Sequence, residues 1–386
     1  MRNKIFSILL VILFLTGFGV FFVHQKDFSR VEKRVLKKNS DLNIVENNIE
    51  DILKDQFYCR DLIMKGYYKI KLAFNELPYI ALNSFGDSNL EYKYLGKNVI
   101  EINNEFLIND ILTYDKEKID LCKSRAFNIN EVDLKYPDIK TYVYFPTKLE
   151  ETIDFKDNYG TVYREKFIKQ LNPNISYSEL EIDCLDEYLE YFYKTDFHWT
   201  GKGAYEAYKN IIEMINKDFD IGLPKEIKNI NIYNNTWTGN VASEIGGNWV
   251  PDNIVDIEIN DVDNFKYYVN GQKYDYGKEK NSYKINGNDT MYSDYDFFYG
   301  NNYFERRFEL NDETKPNMLV FCDSLSNVNL KWIASHFNTT VYIDLRANDG
   351  SFNLDDYINK YNIDIIMVNQ IYSNLYFNGY MFIPLS

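Results

Sequence analysis

The stretch NMLVFCDSLSNVNLKWIASHF, residues 317–337, decides the fold class. Its apolar run at 319–322 predicts a buried strand, and the pattern at 325–337 predicts a helix directly after that strand. Two further apolar runs, NTTVYIDLR and YNIDIIMVNQIY, follow, with a second helical pattern at 352–361 between them. This β-α-β-α-β alternation is typical of a parallel sheet with helices on its faces, so we predict an α/β fold.

The serine that follows the first of these strands is a candidate nucleophile. Ser324 lies beyond the carboxyl end of a predicted parallel strand and at the start of a predicted helix, where open α/β sheets place their ligands. Backbone N–H groups at such a helix start are free to stabilise an oxyanion. The alternative is that Ser324 or Ser326 only caps the helix.

The stretch YKTDFHWTGKGAYEAY, residues 193–208, contains one of only three histidines in the chain. Residues i and i+2 of an extended segment point to the same side, so Asp196 can hold one ring nitrogen of His198 and leave the other free to take a proton. The pair is the acid and base of a triad that needs a nucleophile such as Ser324. The alternative is a structural histidine buried against Trp199.

The sequence indicates neither a metal nor a cofactor. His24 flanks the N-terminal apolar run and His336 lies near the end of a predicted helix, so no three-ligand set forms and we interpret His336 as structural. The four cysteines lack metal-type C-x-x-C spacing; they are Cys59, Cys122, Cys184 and Cys322. Cys322 falls within an apolar strand pattern and is predicted to be a small core residue.

Composition and charge exclude other classes of function. The chain has 386 residues, of which 45% are hydrophobic, enough for one large or two modest domains. Its 43 lysine and arginine residues against 58 acidic residues give a formal charge of −15. No basic cluster offsets this charge, so we expect no nucleic-acid partner.

Residues 1–25 are predicted to be a membrane anchor. The run IFSILLVILFLTGFGVFFV has nineteen residues without a charge, and a helix of that length spans roughly 28 Å, about the thickness of a bilayer core. No small-x-small cleavage site follows, which favours a single-pass anchor over secretion after signal cleavage. Basic residues flanking the run favour a cytoplasmic domain, but one apolar segment ahead of a bulky domain is the usual plan of an exported protein, so we predict an extracytoplasmic domain.

The rest of the chain divides where its pattern changes. Residues 26–76 indicate a juxtamembrane helical region, and residues 77–386 a catalytic domain. Within that domain, EYKYLGKNVIEIN predicts paired strands, and residues 226–310, rich in Asn, Tyr, Asp and Gly, predict a β-rich insertion. In this insertion, Asn270-Gly271 between two β-type runs predicts a hairpin.

The stretch TDFHWTGKGAYEAY resembles the signature of the DHHW proteins, which are related to alginate O-acetylation proteins of the SGNH (GDSL-like) hydrolase superfamily. Further stretches resemble the same family in the same order; they are FSRVEKRVL, DQFYCRD, YLGKN, YVYFPTK, YGNNYF, FCDSLSN and VYIDLR. The resemblance covers nearly all of the chain beyond residue 27. It implies an SGNH-like three-layer sandwich with a mostly parallel sheet.

The resemblance also implies roles for individual residues. Ser324 would be the nucleophile, His198 the general base and Asp196 its orienting acid. The chain departs from the family pattern at Phe197, where the first histidine of the family name stands, which should spare the triad and alter the pocket wall. It departs again at Cys322, where superfamily members often have glycine, which bears on the shape of the nucleophile turn.

Other residues are candidates for binding the oxyanion or the substrate. Asn301, with Gly300 before it, matches the Gly/Asn element that stabilises the oxyanion in the superfamily, although a Gly-Asn-Asn turn explains both residues equally well. Trp199, Trp237 and Trp249 could offer faces for sugar stacking, or could be packing residues of a β-rich region.

By this resemblance, the chain is expected to be an extracytoplasmic, serine-dependent O-acetyltransferase that modifies a cell-surface or exopolysaccharide glycan through an acetyl-serine, without a cofactor. An integral membrane O-acyltransferase would be its partner and would deliver the acetyl group across the bilayer. A glycan O-acetylesterase needs the same triad and stays open as an alternative. The third possibility is a non-catalytic, glycan-binding component of a polysaccharide export or modification complex.

Overall fold

The computed structural model describes residues 25–26, 28–29, 34–38, 40, 49–57, 60–74, 80–85, 88–96, 99–109, 112–148, 159–247, 249–262, 264–277, 295–347 and 352–376. The strands are β1 Phe28–Ser29, β2 Arg34–Val35, β3 Ile80–Phe85, β4 Ser88–Gly96, β5 Val99–Ile102, β6 Phe106–Asn109, β7 Lys140–Pro146, β8 Ser176–Leu180, β9 Ile227–Trp237, β10 Asp252–Ile259, β11 Lys266–Val269, β12 Gln272–Tyr274, β13 Glu305–Glu309, β14 Met318–Cys322, β15 Thr339–Ile343 and β16 Ile365–Asn369. The α-helices are α1 Ile49–Asp55, α2 Arg60–Phe74, α3 Lys116–Lys135, α4 Gly160–Ile168, α5 Leu185–Tyr191, α6 Gly201–Ile215, α7 Asn240–Glu244, α8 Tyr295–Tyr299, α9 Leu330–Ala334 and α10 Leu354–Tyr361. Short 3₁₀ segments occupy Ser324–Val328, Leu345–Ala347 and Tyr372–Leu375.

An eight-stranded sheet organises the chain, with the spatial order β12-β11-β13-β15-β14-β16-β7-β8. The five strands from β15 to β8 run parallel, which confirms the predicted α/β fold with a mostly parallel sheet. Strands β13, β11 and β12 extend one edge in antiparallel fashion. The predicted β-rich insertion is therefore partly continuous with the main sheet, since three of its strands belong to that edge.

The central strands are almost entirely apolar because both faces of the sheet are covered. Every residue of β14 and β16 is buried. Alternate residues of β14 point to opposite sides: Val320 belongs to the core cluster that includes α6, whereas Leu319 and Phe321 belong to the cluster that includes α3 and α4. Helices thus pack on both faces of the sheet.

Smaller antiparallel sheets surround this core. Strands β3 to β6 form a four-stranded sheet in sequential order, and β4 pairs with β5 as the sequence predicted. Strands β9 and β10 form a separate pair. The hairpin predicted at Asn270-Gly271 joins β11 to β12, and both residues have positive φ (47° and 76°), as a type I′ turn requires.

Several predictions concern residues that are not described. The apolar run at 5–23 lies outside the described residues, as does Cys59, and the boundary at 76/77 stays a prediction. Within the described part of the chain, no helix combines the length and the apolarity that crossing a bilayer requires.

Candidate active site

The Asp196–His198 segment is a bent loop between α5 and α6, whereas the sequence analysis assumed an extended segment. A bridge between Phe192 and Trp199 closes the loop, and the His198 N–H donates to Asp196 Oδ1 (2.9 Å). This contact to the residue two positions earlier is an Asx turn, which aspartate favours because its short side chain reaches the backbone. The two side chains therefore converge through the turn and not through strand alternation.

Ser324 follows the carboxyl end of β14, which lies between the parallel strands β15 and β16. Asp323 shapes the turn, since its carboxylate accepts hydrogen bonds from the N–H groups of Leu325 (3.0 Å) and Ile371 (2.5 Å). Burial raises the pKa of Asp323, although the Arg346 charge and the two backbone N–H groups oppose that rise. The buried Asp323 carboxylate thus fixes the turn that carries Ser324 by hydrogen bonds to the backbone on both sides.

The long helix predicted directly after Ser324 is wrong in detail. A 3₁₀ segment, Ser324–Val328, precedes the five-residue α9. Polar side chains in and just after this segment bond elsewhere: Ser326 Oγ donates to Asn369 O (3.1 Å), and Asn329 Nδ2 donates to Ala204 O (3.3 Å). Such contacts compete with regular helix formation.

The structure brings Ser324, His198 and Asp196 into one hydrogen-bonded chain. His198 Nε2 lies 3.0 Å from Ser324 Oγ, and His198 Nδ1 lies 2.5 Å from Asp196 Oδ1. All three side chains are buried, with Ser324 the most exposed at 8%. Asp196 Oδ2 accepts from the Asn240 N–H at the start of α7, so both carboxylate oxygens have partners. This arrangement can take a proton from the serine and hold it on the imidazole.

Aromatic rings cover both faces of His198. Phe197 stacks on one side with ring centroids 4.3 Å apart, and Tyr295 stacks at 3.9 Å. The departure from the family pattern at Phe197 thus forms part of the imidazole's packing. Lys148 Nζ lies 5.7 Å from the Phe197 ring centroid, within the range of a cation–π contact.

Of the two interpretations of Trp199, a face for sugar stacking or a packing residue, the structure supports the packing residue. Trp199 is fully buried, and its indole N–H donates to Leu325 O (2.8 Å), one residue after the nucleophile. Tyr295 OH also donates to that carbonyl (3.4 Å). Trp237 is likewise buried, and only the half-buried Trp249 retains surface for a ligand. Through its hydrogen bond to Leu325 O, Trp199 supports the turn that carries Ser324.

The 300–302 loop lies against the nucleophile turn. Asn327 Nδ2 donates to Gly300 O and to Asn302 Oδ1, both at 3.1 Å. Gly300 has φ of +94°, a conformation that favours glycine, and Asn301 is exposed. The Ser324 N–H donates to no acceptor among the described residues. The structure therefore places the Gly300-Asn301 pair next to this turn without recording a contact from Asn301 to Ser324.

Cys322 fits its position without strain. It is the last residue of β14 and does not have positive φ, so no glycine is needed there. Burial raises the pKa of its thiol to about 12, which makes it inert at neutral pH. Among the described residues, no group of three His, Cys, Asp or Glu side chains is arranged to hold a metal ion.

His336 bonds to groups outside the triad, in agreement with the structural role that the sequence predicted. Its Nδ1 lies 2.9 Å from Ile221 O and its Nε2 lies 2.7 Å from Tyr208 OH. A neutral ring that donates from Nδ1 and accepts at Nε2 satisfies both contacts, and burial lowers the pKa of His336 to about 4.

Sequence reasoning missed the residues that support the triad. Thr195, Asn240 and Asp252 hold the loop, and Tyr295 covers the imidazole. Most of these contacts involve backbone N–H groups, which every residue type carries, so no motif marks them.

The fold and the Ser–His–Asp arrangement define an α/β protein with a serine-centred site at the carboxyl edge of a mostly parallel sheet. Bacillus cereus PatB1, in a structure with a sulfonyl adduct, matches 79% of this chain and 99% of its own, with 18% identity and a TM-score of 0.60. A DHHW family protein from Eubacterium siraeum matches 78% of this chain and 96% of its own, with 15% identity and a TM-score of 0.55. The O-acetyltransferase domain of Pseudomonas putida AlgJ matches with a TM-score of only 0.41 at 12% identity, over 73% of this chain and 93% of that chain, and supports no conclusion about this chain.

No protein-family profile matches the sequence, and a search of curated proteins gives no match. At these identities the structural likenesses show the fold alone. They confirm, at that level, the relationship that the sequence motifs suggested: the chain has the fold of a DHHW family protein and of PatB1.

Proposed function

We propose that this chain is a serine-dependent O-acetyltransferase that modifies a cell-surface or exopolysaccharide glycan through an acetyl-serine intermediate. One observation carries the proposal: the hydrogen-bonded chain that runs from Ser324 Oγ through His198 to Asp196. The SGNH-like character of the site, the acetyl group and the glycan acceptor are supported by the motif resemblance to DHHW and alginate O-acetylation proteins.

The first half-reaction forms the acetyl-serine. With Asp196 ionised, His198 carries its proton on Nδ1 and offers the Nε2 lone pair to the Ser324 hydroxyl. Ser324 Oγ attacks the acetyl carbonyl as Nε2 takes the serine proton. The tetrahedral intermediate then collapses, and the donor's leaving oxygen departs with the proton from His198.

The second half-reaction transfers the acetyl group. A glycan hydroxyl gives its proton to His198 Nε2 and attacks the acetyl carbonyl, and the proton returns to Ser324 Oγ as the ester bond to the enzyme breaks. The Ser324 N–H, and Asn301 from the neighbouring loop, are the groups we assign to the oxyanion. The rings of Phe197 and Tyr295, stacked on either face of His198, keep the imidazole oriented between Asp196 and Ser324.

The proposal includes the site of action. Residues 1–25 would anchor the chain with its catalytic domain outside the cytoplasm, and an integral membrane O-acyltransferase would supply the acetyl group there. The uncharged run at 5–23 supports the anchor. Intact-mass measurement of the membrane-bound protein distinguishes an anchor from a cleaved signal, and protease added to whole cells tests the orientation, since an extracytoplasmic domain is digested.

The test uses the full chain in detergent with p-nitrophenyl acetate and with phenylmethylsulfonyl fluoride, which labels activated serines. We expect acetyl release and a label on the Ser324 peptide, both lost in Ser324→Ala and His198→Ala. The matched control is Ser326→Ala, which removes a buried hydroxyl two residues away that donates to Asn369 O (3.1 Å) and should retain activity. Equal activity in Ser324→Ala and wild type would overturn the triad assignment.

Glycan oligosaccharides separate transfer from hydrolysis. A transferase produces acetylated oligosaccharide, detected by mass spectrometry, at the expense of free acetate. Release of acetate alone, unchanged by any glycan, would identify an acetylesterase. A protein that binds glycan while wild type and Ser324→Ala are equally inactive would be a non-catalytic binding component.

A further inference from the structure

A buried carboxylate outside the triad contacts the loop that carries the triad's acid. Asp252, the first residue of β10, is 7% exposed. Its side chain accepts hydrogen bonds from Lys194 N (2.8 Å), Thr195 N (2.9 Å) and Thr195 Oγ1 (2.5 Å). Among the described residues, these two neighbours supply every hydrogen bond to that carboxylate, and both directly precede Asp196 in the chain.

Thr195 connects this carboxylate to the peptide that holds Asp196. The Thr195 hydroxyl accepts from Gly239 N (2.7 Å), and its carbonyl accepts from Ala242 N (3.1 Å). The next residue after Gly239 is Asn240, whose N–H donates to Asp196 Oδ2. One side chain therefore lies in contact with both segments that fix the position of the triad carboxylate.

The environment of Asp252 is costly for a charge. Burial raises the pKa of Asp252 to about 6, and the Asp196 charge adds to the rise, while the hydrogen bonds from Lys194 and Thr195 oppose it. A neutral side chain would be cheaper to bury here, but a carboxylate is acceptor-only and can receive all three bonds at once.

We infer that Asp252 is a positioning residue: it fixes Thr195 and, through Thr195, the Gly239-Asn240 peptide, so that Asp196 presents Oδ1 to His198 Nδ1. The inference rests on the proposed function, because it assumes that Asp196 orients the base. It gives the β-rich region a role in the chemistry of the site.

The first test is Asp252→Asn, compared with Asp256→Asn, the same substitution farther along β10. An amide cannot accept all three bonds, so the Asp196 loop shifts. For Asp252→Asn we expect kcat for p-nitrophenyl acetate and the rate of sulfonyl labelling to fall roughly 10- to 100-fold, with KM and the melting temperature little changed. Asp256→Asn should match wild type. Wild-type kcat in a folded Asp252→Asn variant would overturn the inference.

A pair of threonine variants decides the matter if Asp252→Asn does not fold. Thr195→Ser keeps the hydroxyl that bridges Asp252 and Gly239, whereas Thr195→Val removes it at nearly constant volume. Serine should retain kcat within about threefold and valine should lose roughly tenfold or more. Equal activity of the two variants would refute the proposed link.

A double-mutant cycle separates positioning from general stability. If Asp252 acts through Asp196, then adding Asp252→Asn to Asp196→Asn lowers kcat by less than about threefold, because the effect is already lost. A further loss as large as in the wild-type background would show an independent structural role. Failure of wild type to label at Ser324 would instead overturn the proposed function, so the two failures are distinguishable.

Discussion

Gly239 offers a steric test of how tightly the acid of the triad is held. An added Cβ would lie 2.2 Å from Asp196 Cβ and 2.4 Å from Thr195 O. The glycine has φ −73° and ψ −179°, a conformation open to any residue, so space is the only obstacle to alanine. The substitution Gly239→Ala therefore pushes directly on the loop that presents Asp196 to His198.

The size of the effect follows from these distances. Ordinary contacts of a Cβ begin at 3.4 Å, so the two segments have to separate by roughly 1 Å. A misplacement of about 1 Å costs on the order of 100-fold in rate, and overpacking a close-packed site costs about 1–3 kcal/mol. In Gly239→Ala we expect kcat for p-nitrophenyl acetate to fall roughly 100-fold and the free energy of unfolding to fall by about 1–3 kcal/mol.

The matched control is Gly66→Ala in helix α2, where an added Cβ meets no atom within 4 Å. Replacing a helical glycine by alanine should raise stability by up to about 1 kcal/mol and leave kcat unchanged. Urea unfolding and initial rates on the same preparations measure both quantities. A Gly239→Ala protein that is destabilised but keeps more than a third of its kcat would refute the reasoning, because the triad would then tolerate displacement of its acid.

Three further predictions address the surroundings of the site. Trp199→Phe removes the N–H that donates to Leu325 O. It should lower kcat roughly tenfold in initial-rate assays and the free energy of unfolding in urea by about 1–3 kcal/mol. A wild-type kcat in this variant would contradict the supporting role of Trp199. Burial lowers the pKa of His336 from its ordinary value of 6.5 to about 4, so the stability that the neutral ring contributes is complete above pH 6.5 and is lost as the pH falls towards 4. Between pH 7 and pH 5 the free energy of unfolding should fall by roughly 2 kcal/mol for this reason. In urea unfolding, His336→Gln should show a smaller decline over that range. Iodoacetamide at pH 8 should label the exposed Cys184 and leave Cys322 unmodified until the protein unfolds, as peptide mapping would reveal.

Much of the core of the site was predictable because its signals are local. Ser324 follows a short apolar run that predicts a buried strand, and Asp196 lies two residues from the single well-placed histidine. The alternation of apolar runs and helical patterns in the last seventy residues was enough to predict three of the five parallel strands, β14, β15 and β16. Long-range pairing was not needed for any of these inferences.

The remainder depends on contacts between distant segments. The sequence left Trp199 open as a sugar-stacking face or a packing residue. The bridge to Phe192, which nothing near Trp199 in the sequence indicates, accompanies its burial. Asp252 has an ordinary place at the start of a strand, and its partners are mostly backbone N–H groups. The helix expected after Ser324 gave way to a 3₁₀ turn because its polar side chains bond to remote carbonyls.

The position of β7 has a consequence for the newly made protein. This strand pairs with its neighbour β8 and also with β16, where Lys140 lies opposite Ile365. Pairing between strands so distant in sequence slows folding, because the chain loses the entropy of closing a long loop before the stabilising contacts form. On the ribosome, His198 emerges long before Ser324, and the sheet stays incomplete until β16 is synthesised. A chain that stops before β16 therefore carries His198 while the sheet strand that leads to Ser324 still lacks its neighbour on one side.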